Sequence, residues 1–387
     1  MKSYIPAQLD GLKKGGYIPA KMESIFDNIN YNSKKLSWWE DESFFFYPRL
    51  LVSAYYGMKY PNFREHFHVK DDVALMLDSG GFQNLTLNAN LDPIKVLRWQ
   101  EANGNIGLTF DLPTLKDDTK EVKIRKQLQT VENAYLALDS KQNEKLRLYA
   151  VTQGHTFDEQ QFIIDKYNEI GDIKRFDGFA MGGIVSIKGD IKFLTNAATV
   201  FVNNLYKYKK PLHFLGLSGL NSVPVILYLM NKFDVTTTYD STSYAVSAKI
   251  NSFVNPFTLR KDEIPMGELG NKLLKEIPCS CPVCSNIEGI HEFYDRRSVS
   301  SALISLHNLW YYIKYDEMLR SLIDDDELFK SFIYRNNSLE LKECFQYIDY
   351  ACAEGIVKAN QKFNFTNSYV ETQKNNKSLF GKWQDEK

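Results

Sequence analysis

Short apolar runs alternate with longer amphipathic stretches through the first two thirds of the chain. This pattern is typical of parallel strands that are joined by helices. The candidate strands are residues 50–56, 73–78, 106–112, 147–152, 177–184, 212–217 and 234–240. We therefore predict an α/β fold, a (β/α)8 TIM-like barrel in which one further strand leaves no visible pattern.

Polar or glycine-rich residues follow almost every candidate strand. The residues at these ends include Asp78, Asp111, Gln153, Gly182, Gly183 and Asp240. In a barrel of this type the carboxyl ends of the strands form the active-site mouth, so we expect these residues to converge there. An open doubly wound sheet is the alternative, but it usually begins with a G-x-G-x-x-G motif, which does not occur early in this chain.

The last third of the chain loses this rhythm. Residues 257–295 contain a cysteine cluster, and residues 303–357 have apolar positions at three- and four-residue spacing, which predicts helices. We predict an N-terminal segment of unknown role at 1–45, a barrel core at 46–256, a zinc-binding subdomain with the following helix at 257–315, and C-terminal helices with a polar tail at 316–387.

Cys279, Cys281 and Cys284 form a C-x-C-x-x-C motif that provides three soft metal ligands. A fourth ligand would complete a tetrahedral zinc site, and His291 and His307 are the nearby candidates. Incidental cysteines beside a core histidine are the alternative, but this spacing rarely arises by accident. Because a complete ligand shell has no open position for water, we predict a structural Zn²⁺.

Composition and charge constrain the partners. The 387 residues are 44% hydrophobic, and 47 basic residues nearly balance 48 acidic ones, so no overall field attracts nucleic acid. A polynucleotide would need a local basic patch, for which residues 206–210, Arg296 with Arg297, and Lys249 are candidates. No apolar run is long enough to span a membrane and no signal peptide follows Met1, so we predict a cytoplasmic protein without a membrane partner.

Asp78 and Asp240 end two well-separated candidate strands and could face each other across a barrel mouth. Paired carboxylates break bonds at an anomeric carbon: one attacks C1′ and the other transfers the proton of the leaving group. Either aspartate alone is as readily a helix cap or a turn residue. The pair by itself leaves glycosidases, aldolases and metal hydrolases open.

Taken together, the motifs resemble those of the tRNA-guanine transglycosylase superfamily. Asp78-Ser79-Gly80-Gly81-Phe82-Gln83 is similar to the family signature, and the family carries a C-x-C-x-x-C zinc site completed by the histidine of a His-Asn-Leu helix start, here His307. Further segments occur in the family's order: Gln153-Gly154, Gly182-Gly183-Ile184-Val185 and Asp240-Ser241-Thr242-Ser243-Tyr244-Ala245. The resemblance spans roughly residues 50–315.

The resemblance implies the exchange of a guanine base. Asp240 would attack C1′ and expel guanine, and Asp78 would move protons as a general acid and base. Asp111 would accept hydrogen bonds from N1 and the exocyclic amine of guanine, which adenine and pyrimidines cannot offer together.

The remaining base contacts are also implied by the resemblance. Gln153 and the loop of Gly182, Gly183 and Ile184 would meet the O6 side, and Ser79 would hold the base edge. Phe82 would stack on the heterocycle opposite Leu215 or Leu217, although an aromatic residue after two glycines is as often part of the core.

The incoming base and the polymer follow from departures from the family pattern. Near Lys188 the bacterial enzymes have a glutamate that can meet a cationic base, so we predict a neutral 7-deazaguanine base such as preQ0. The chain lacks the bacterial Leu-Pro-Thr-Arg segment, and we expect 387 residues to leave no room for the RNA-binding domains that archaeal enzymes usually append. It therefore resembles the branch that inserts 7-deazaguanine into DNA, and we favour DNA over tRNA as the nucleic acid.

Other interpretations stay open. A retaining glycoside hydrolase would use the same two carboxylates and transfer the sugar to water, but Asp111 and Gln153 would then have no heterocycle to read. The zinc cluster could instead be a nucleic-acid-binding module on an inactive barrel, which the presence of both Asp78 and Asp240 disfavours. Residues 310–312, Trp-Tyr-Tyr, could form a homodimer contact, and core packing accounts for them equally.

Overall fold

Twelve strands occur in the part of the chain that the computed structural model describes: residues 20–21, 30–31, 33–115, 117–184, 187, 189–217, 219–263, 274, 277–287, 289–290, 300–336 and 339–365. They are β1 (Ala20–Lys21), β2 (Asn30–Tyr31), β3 (Lys34–Lys35), β4 (Arg49–Ser53), β5 (Ala74–Asp78), β6 (Ile106–Leu108), β7 (Arg147–Thr152), β8 (Gly178–Met181), β9 (Leu212–Phe214), β10 (Thr237–Tyr239), β11 (Ser252–Val254) and β12 (Lys261–Glu263).

Eight of these strands form one sheet in the order β1-β4-β5-β6-β7-β8-β9-β10, and every neighbouring pair is parallel. All seven predicted strands are present in this sheet. The additional strand is β1, in which Ala20 pairs with Leu50. It lies in the N-terminal segment for which the sequence analysis predicts no role, and its two residues are too few to show an alternating pattern.

Helices follow the strands and cover the outside of the sheet. They are α1 (Ala54–Gly57), α2 (Phe63–His66), α3 (Gly81–Leu87), α4 (Pro93–Asn103), α5 (Lys120–Ser140), α6 (Phe157–Ile170), α7 (Ile191–Leu205), α8 (Ser222–Phe233), α9 (Ser243–Lys249), α10 (Ser300–Leu322), α11 (Asp326–Asn336), α12 (Leu339–Glu354) and α13 (Ile356–Phe363). Several begin at side chains that accept a hydrogen bond from the first turn, as Thr119, Thr156 and Asp190 do for α5, α6 and α7.

The strands alternate between two apolar environments. Their inward positions form a compact cluster that contains Leu51, Met76, Ile106, Leu108, Tyr149, Val151 and Ala180. The intervening positions, such as Leu50, Leu75 and Leu148, join the larger cores beneath the helices. This division between a small interior and a large exterior is the packing of a curled, TIM-like parallel sheet, as predicted.

Contacts between the two ends of the sheet support the curl. Trp38, which precedes β4, packs edge-to-face on Tyr244 of α9 with ring centroids 5.9 Å apart, although α9 follows β10. The same core contains Leu50 of β4 and Phe253 of β11. The chain before the first long strand therefore packs against the chain after the last one.

The predicted C-terminal helices are present as α10 to α13, and they pack on α7 and α8. The hydroxyl of Tyr239 in β10 donates to Asp316 of α10 at 2.6 Å, and Arg320 donates to the same carboxylate. Cys344 is buried in α12, whereas Cys352 on the same helix is exposed. Among the helices of the described residues, none combines the length and apolarity that a membrane span requires.

Candidate active site

Strand alternation brings two carboxylates to the same end of the barrel. Asp78 lies two positions after the inward Met76, and Asp240 lies two positions after Thr238, which pairs with His213. Because side chains alternate along a strand, both aspartates lie on the inner face at the carboxyl ends of β5 and β10. Both are buried, with exposed fractions of 8% and 1%.

Asp111 is the centre of a buried hydrogen-bonded group beside Asp78. The Ser79 hydroxyl donates to Oδ1 of Asp111 at 2.6 Å, and Nε2 of Gln153 donates to Oδ2. Burial raises the pKa of Asp111 to about 6, and the charge of Asp78 adds to this rise, whereas the hydrogen bonds from Ser79 and Gln153 oppose it. The structure thus brings together residues that follow β5, β6 and β7.

Two buried amides hold the turn that presents Gln153. Nε2 of Gln127 in α5 donates to the carbonyl oxygen of Gln153 and, at 2.9 Å, to that of Glu159. Nε2 of Gln160 in α6 donates to the carbonyl oxygen of Gly154 at 2.9 Å. The sequence did not single out Gln127 or Gln160, because a glutamine within a helix usually faces solvent.

The motif glycines are required because neighbouring groups approach their backbone so closely that a side chain would not fit. A Cβ on Gly81 would lie 2.3 Å from the carbonyl oxygen of Asp111, and one on Gly182 would lie 2.1 Å from Nε2 of Gln153. Gly183 has φ of 79°, a region that favours glycine. Ile184 is fully buried in the outer core, so its backbone alone is available to a ligand at the inner face.

The three residues predicted to stack on the base differ in their burial. Phe82 in α3 is 53% exposed, so the alternative that it fills the core is wrong. Leu215 packs at the edge of the inner cluster, whereas Leu217 is fully buried in the outer core. Of the two leucines, Leu215 is therefore the one on the inner face.

Asp240 has two polar neighbours from β9 and the residues that follow it. The backbone N–H of Gly216 donates to Oδ1 at 2.8 Å, and Nε2 of His213 lies 3.4 Å from the same oxygen. On its other side, Nδ1 of His213 lies 2.8 Å from Oγ1 of Thr238. Sequence reasoning missed His213, although its inward position two residues before Leu215 was a signal that could have found it.

The predicted metal ligands form one cluster. Nδ1 of His307 lies 3.7, 3.4 and 3.3 Å from Sγ of Cys279, Cys281 and Cys284, and the four ligand atoms all lie within 4.8 Å of one another. A tetrahedral zinc ion with ordinary bond lengths places nitrogen about 3.6 Å from sulfur, so these residues fit the ion. The other candidate ligand, His291, lies outside the described residues.

The same helix connects the metal cluster to the segment that follows Asp240. Nε2 of His307 lies 2.8 Å from the carbonyl oxygen of Val254, which leaves Nδ1 facing the cysteines. Asn308 donates to the carbonyl oxygen of Tyr244 in α9 at 3.0 Å and accepts from the N–H of Val254 at 2.7 Å. His307 lies two turns inside α10 rather than in its first turns, because the helix begins at Ser300.

One predicted basic patch is at the wrong end of the barrel. Residues 206–210 immediately precede β9 and therefore lie at the amino ends of the strands, opposite the aspartates. Nζ of Lys210 donates to the carbonyl oxygens of Lys174, at 2.7 Å, and Phe176, which also precede a strand. Lys249 is the last residue of α9, the helix that follows β10, whereas Lys188, Arg296 and Arg297 lie outside the described residues.

Comparisons with known proteins identify a family for most of the chain. Residues 65–337 match the protein family described as queuine tRNA-ribosyltransferase. A protein from Methanocaldococcus jannaschii named tRNA-guanine(15) transglycosylase is 26% identical over 285 residues, which are 70% of this chain and 41% of that protein. A protein of the same name from Thermococcus onnurineus is 26% identical over 335 residues, which are 81% of this chain and 53% of that protein. The chain thus spans about two fifths to half the length of these relatives.

Proposed function

Since this chain belongs to the queuine tRNA-ribosyltransferase family, we propose that it is a guanine transglycosylase, which replaces a guanine of a polynucleotide with a 7-deazapurine. The observation that carries the proposal is the buried group of Ser79, Asp111 and Gln153 beside Asp78. A carboxylate whose two oxygens are held by separate donors presents a fixed edge, which is what recognition of one base requires.

In this proposal Asp111 selects guanine. Its ionised carboxylate accepts hydrogen bonds from N1 and the exocyclic amine while it keeps the bonds from Ser79 and Gln153, because a carboxylate can accept about four. The second N–H of Gln153 Nε2 and the backbone of Gly183 and Ile184 meet the O6 side of the base. Phe82 and Leu215 cover its two faces, which favours a planar heterocycle.

The exchange takes two displacements at the sugar. A carboxylate oxygen of Asp240 attacks C1′, the bond from C1′ to N9 breaks, and the departing guanine takes the electron pair together with a proton from Asp78. Asp78, now ionised, removes the N9 proton of the incoming base. That nitrogen attacks C1′, and the bond from C1′ to the Asp240 oxygen breaks, which restores both aspartates.

Cys279, Cys281, Cys284 and His307 would hold a structural Zn²⁺. When bound, the ion would supply a cross-link between the cysteine segment and α10 rather than an electrophile for the reaction. Through Val254 and Asn308 this cross-link would fix β11 and α9, the elements that follow the nucleophile.

We propose tRNA as the polymer, which the names of the relatives support. The sequence pattern favoured DNA, and the names of these relatives do not support that choice. The target base must leave its stack in either polymer, at a cost of a few kcal/mol. We also propose a neutral base such as preQ0, because the positive charge of Lys188 would repel a cationic base.

Base exchange with purified protein tests the proposal. Labelled guanine is incubated with unmodified tRNA and, in parallel, with DNA, and the label in each polymer is measured before and after a chase with preQ0. We expect incorporation into tRNA and its displacement by preQ0. Incorporation into DNA alone would overturn the choice of polymer, and release of guanine without incorporation would instead indicate a glycoside hydrolase.

Asp240→Asn tests the nucleophile. The amide cannot form the sugar ester, so we expect neither turnover nor a protein–polynucleotide adduct on a denaturing gel. Asp234→Asn, a substitution in the turn between α8 and β10 at the opposite end of the barrel, is the matched control and should form the adduct like the unsubstituted protein. An adduct that survives Asp240→Asn would show that another residue attacks the sugar.

A further inference from the structure

His213 is a fully buried polar side chain directed at the proposed nucleophile. It lies in β9 beside β10, with Nδ1 2.8 Å from the Thr238 hydroxyl and Nε2 3.4 Å from Oδ1 of Asp240. Within the described residues, Nε2 has no hydrogen-bond partner. A buried imidazole nitrogen is costly to leave unsatisfied, so its position beside a carboxylate calls for a role.

The contacts around Oδ1 make it an anchored oxygen. Gly216 N–H donates to Oδ1 at 2.8 Å. Nε2 of His213 lies 3.4 Å from the same oxygen, slightly farther than an ordinary hydrogen bond, so a small shift would complete a second one. Hydrogen bonds at reactive groups are often long without substrate and shorten in the complex. When the Thr238 hydroxyl donates to Nδ1, the proton of a neutral imidazole resides on Nε2, facing Asp240.

We propose that His213 is a positioning residue, which forms with the Gly216 N–H a two-donor cradle that stabilises the Asp240 carboxylate as it departs from C1′. This inference rests on the proposed function, because it concerns the second displacement of that reaction. When the incoming N9 attacks C1′, the bond from C1′ to Asp240 breaks and its electron pair returns to the carboxylate. No proton is transferred to or from His213 in this step.

The cradle has a kinetic signature that a purely structural role lacks. Donors at Oδ1 stabilise the charged carboxylate more than the neutral sugar ester, so their loss favours the ester and slows its resolution. Removal of the His213 donor should therefore lower turnover and at the same time raise the fraction of enzyme that is held as the covalent adduct. General destabilisation would lower both quantities.

The test compares His213→Leu and His213→Gln with the unsubstituted protein in the guanine-exchange assay. Leucine keeps the bulk without a donor, and we expect kcat to fall about 10²-fold, the usual effect of losing one such donor, while the KM for the base stays nearly constant. The steady-state adduct, quantified after rapid denaturation, should increase. Glutamine returns an N–H to the position of Nε2, so kcat should recover at least tenfold relative to leucine, about half of the loss on a logarithmic scale.

Two further variants keep the result unambiguous. Tyr347→Phe removes a buried hydrogen bond to Asn196 on the outer helices, and should leave kcat and the adduct fraction unchanged even if stability falls. Thr238→Val removes the hydroxyl that fixes the imidazole, so the adduct fraction should rise in this variant as well. This second variant tests the proposal even if His213→Leu does not fold. An unsubstituted protein without exchange or adduct would refute the proposed function itself. Normal exchange with an unchanged adduct fraction in His213→Leu and Thr238→Val would refute only the cradle.

Discussion

Replacing Asp111 by asparagine should stabilise the protein at neutral pH while it abolishes guanine exchange. Burial, together with the charge of Asp78, raises the pKa of Asp111 to about 6 from the usual 3.8. The folded protein thus binds this proton more tightly than the unfolded chain does. The contribution of the protonated Asp111 carboxyl to folding stability is therefore complete below pH 3.8 and is lost as the pH rises through 6.

The size of the effect follows from the shift. The difference of roughly two pKa units corresponds to about 3 kcal/mol of folding free energy that the ionised carboxylate costs at pH 8, and to about half of that at pH 5. Asparagine carries no charge, so it avoids this cost. Its amide nitrogen would face Gln153, whose Oε1 has no hydrogen-bond partner among the described residues and can accept once the amide turns over.

Urea unfolding at pH 5 and pH 8 measures this prediction, with guanine exchange followed on the same samples. Asp111→Asn should exceed the unsubstituted protein in unfolding free energy at both pH values, with the larger gain at pH 8. Asp118→Asn is a control of opposite sign, because hydrogen bonds from Leu115 N–H and Lys126 outweigh partial burial and lower the pKa of Asp118. The contribution of a lowered carboxyl pKa is complete above the unfolded value of 3.8, so Asp118→Asn should lose nearly the same unfolding free energy at pH 5 and at pH 8. An Asp111→Asn effect that is the same at pH 5 and pH 8 would refute the electrostatic reasoning, and retained guanine exchange would refute base recognition.

Three further predictions concern binding, the glycines and the metal. Guanine binding needs the ionised Asp111, so the affinity measured by calorimetry should fall as the pH drops through about 6, approaching tenfold per pH unit; a flat profile between pH 5 and pH 8 would contradict this. Gly182→Ala should lower kcat/KM about 10²-fold because its Cβ would lie 2.1 Å from Nε2 of Gln153, whereas Gly189→Ala, whose Cβ meets no atom of the described residues within 4 Å, should behave like the unsubstituted protein. His307→Ala should lose bound zinc and lower the thermal midpoint, while Cys352→Ser, on an exposed helix position, should change neither zinc content nor midpoint.

The parts of the fold that the sequence predicted are those in which one pattern repeats. Seven strands could be predicted because each is a short apolar run that ends in polar residues or glycine. Strand β1 did not, since Ala20 and Lys21 form a strand only through pairing with Leu50 and Leu51, thirty positions away. Pairing of that kind depends on the whole sheet and leaves no local trace.

For the site, the sequence predicted which residues take part but not which of them contact one another. Asp78, Asp111 and Gln153 were recognisable one by one, but which donor meets which carboxylate oxygen depends on three strand ends at once. The misplaced basic patch had a simpler cause. Residues 206–210 precede a predicted strand, and in a parallel barrel that order alone assigns them to the end away from the aspartates.

His213 shows how the same topological reasoning can extend to residues without a motif. A histidine in an apolar strand is usually a satisfied core residue, and its identity alone predicts nothing more. Its position predicts more, because it shares the inner face with Leu215 and pairs with Thr238, which lies two residues before Asp240. In a parallel barrel, a polar residue one layer below a reactive strand end on the inner face lies within reach of the groups of that mouth. Such a residue is therefore a candidate for holding those groups, which the adduct measurement on His213→Leu can decide.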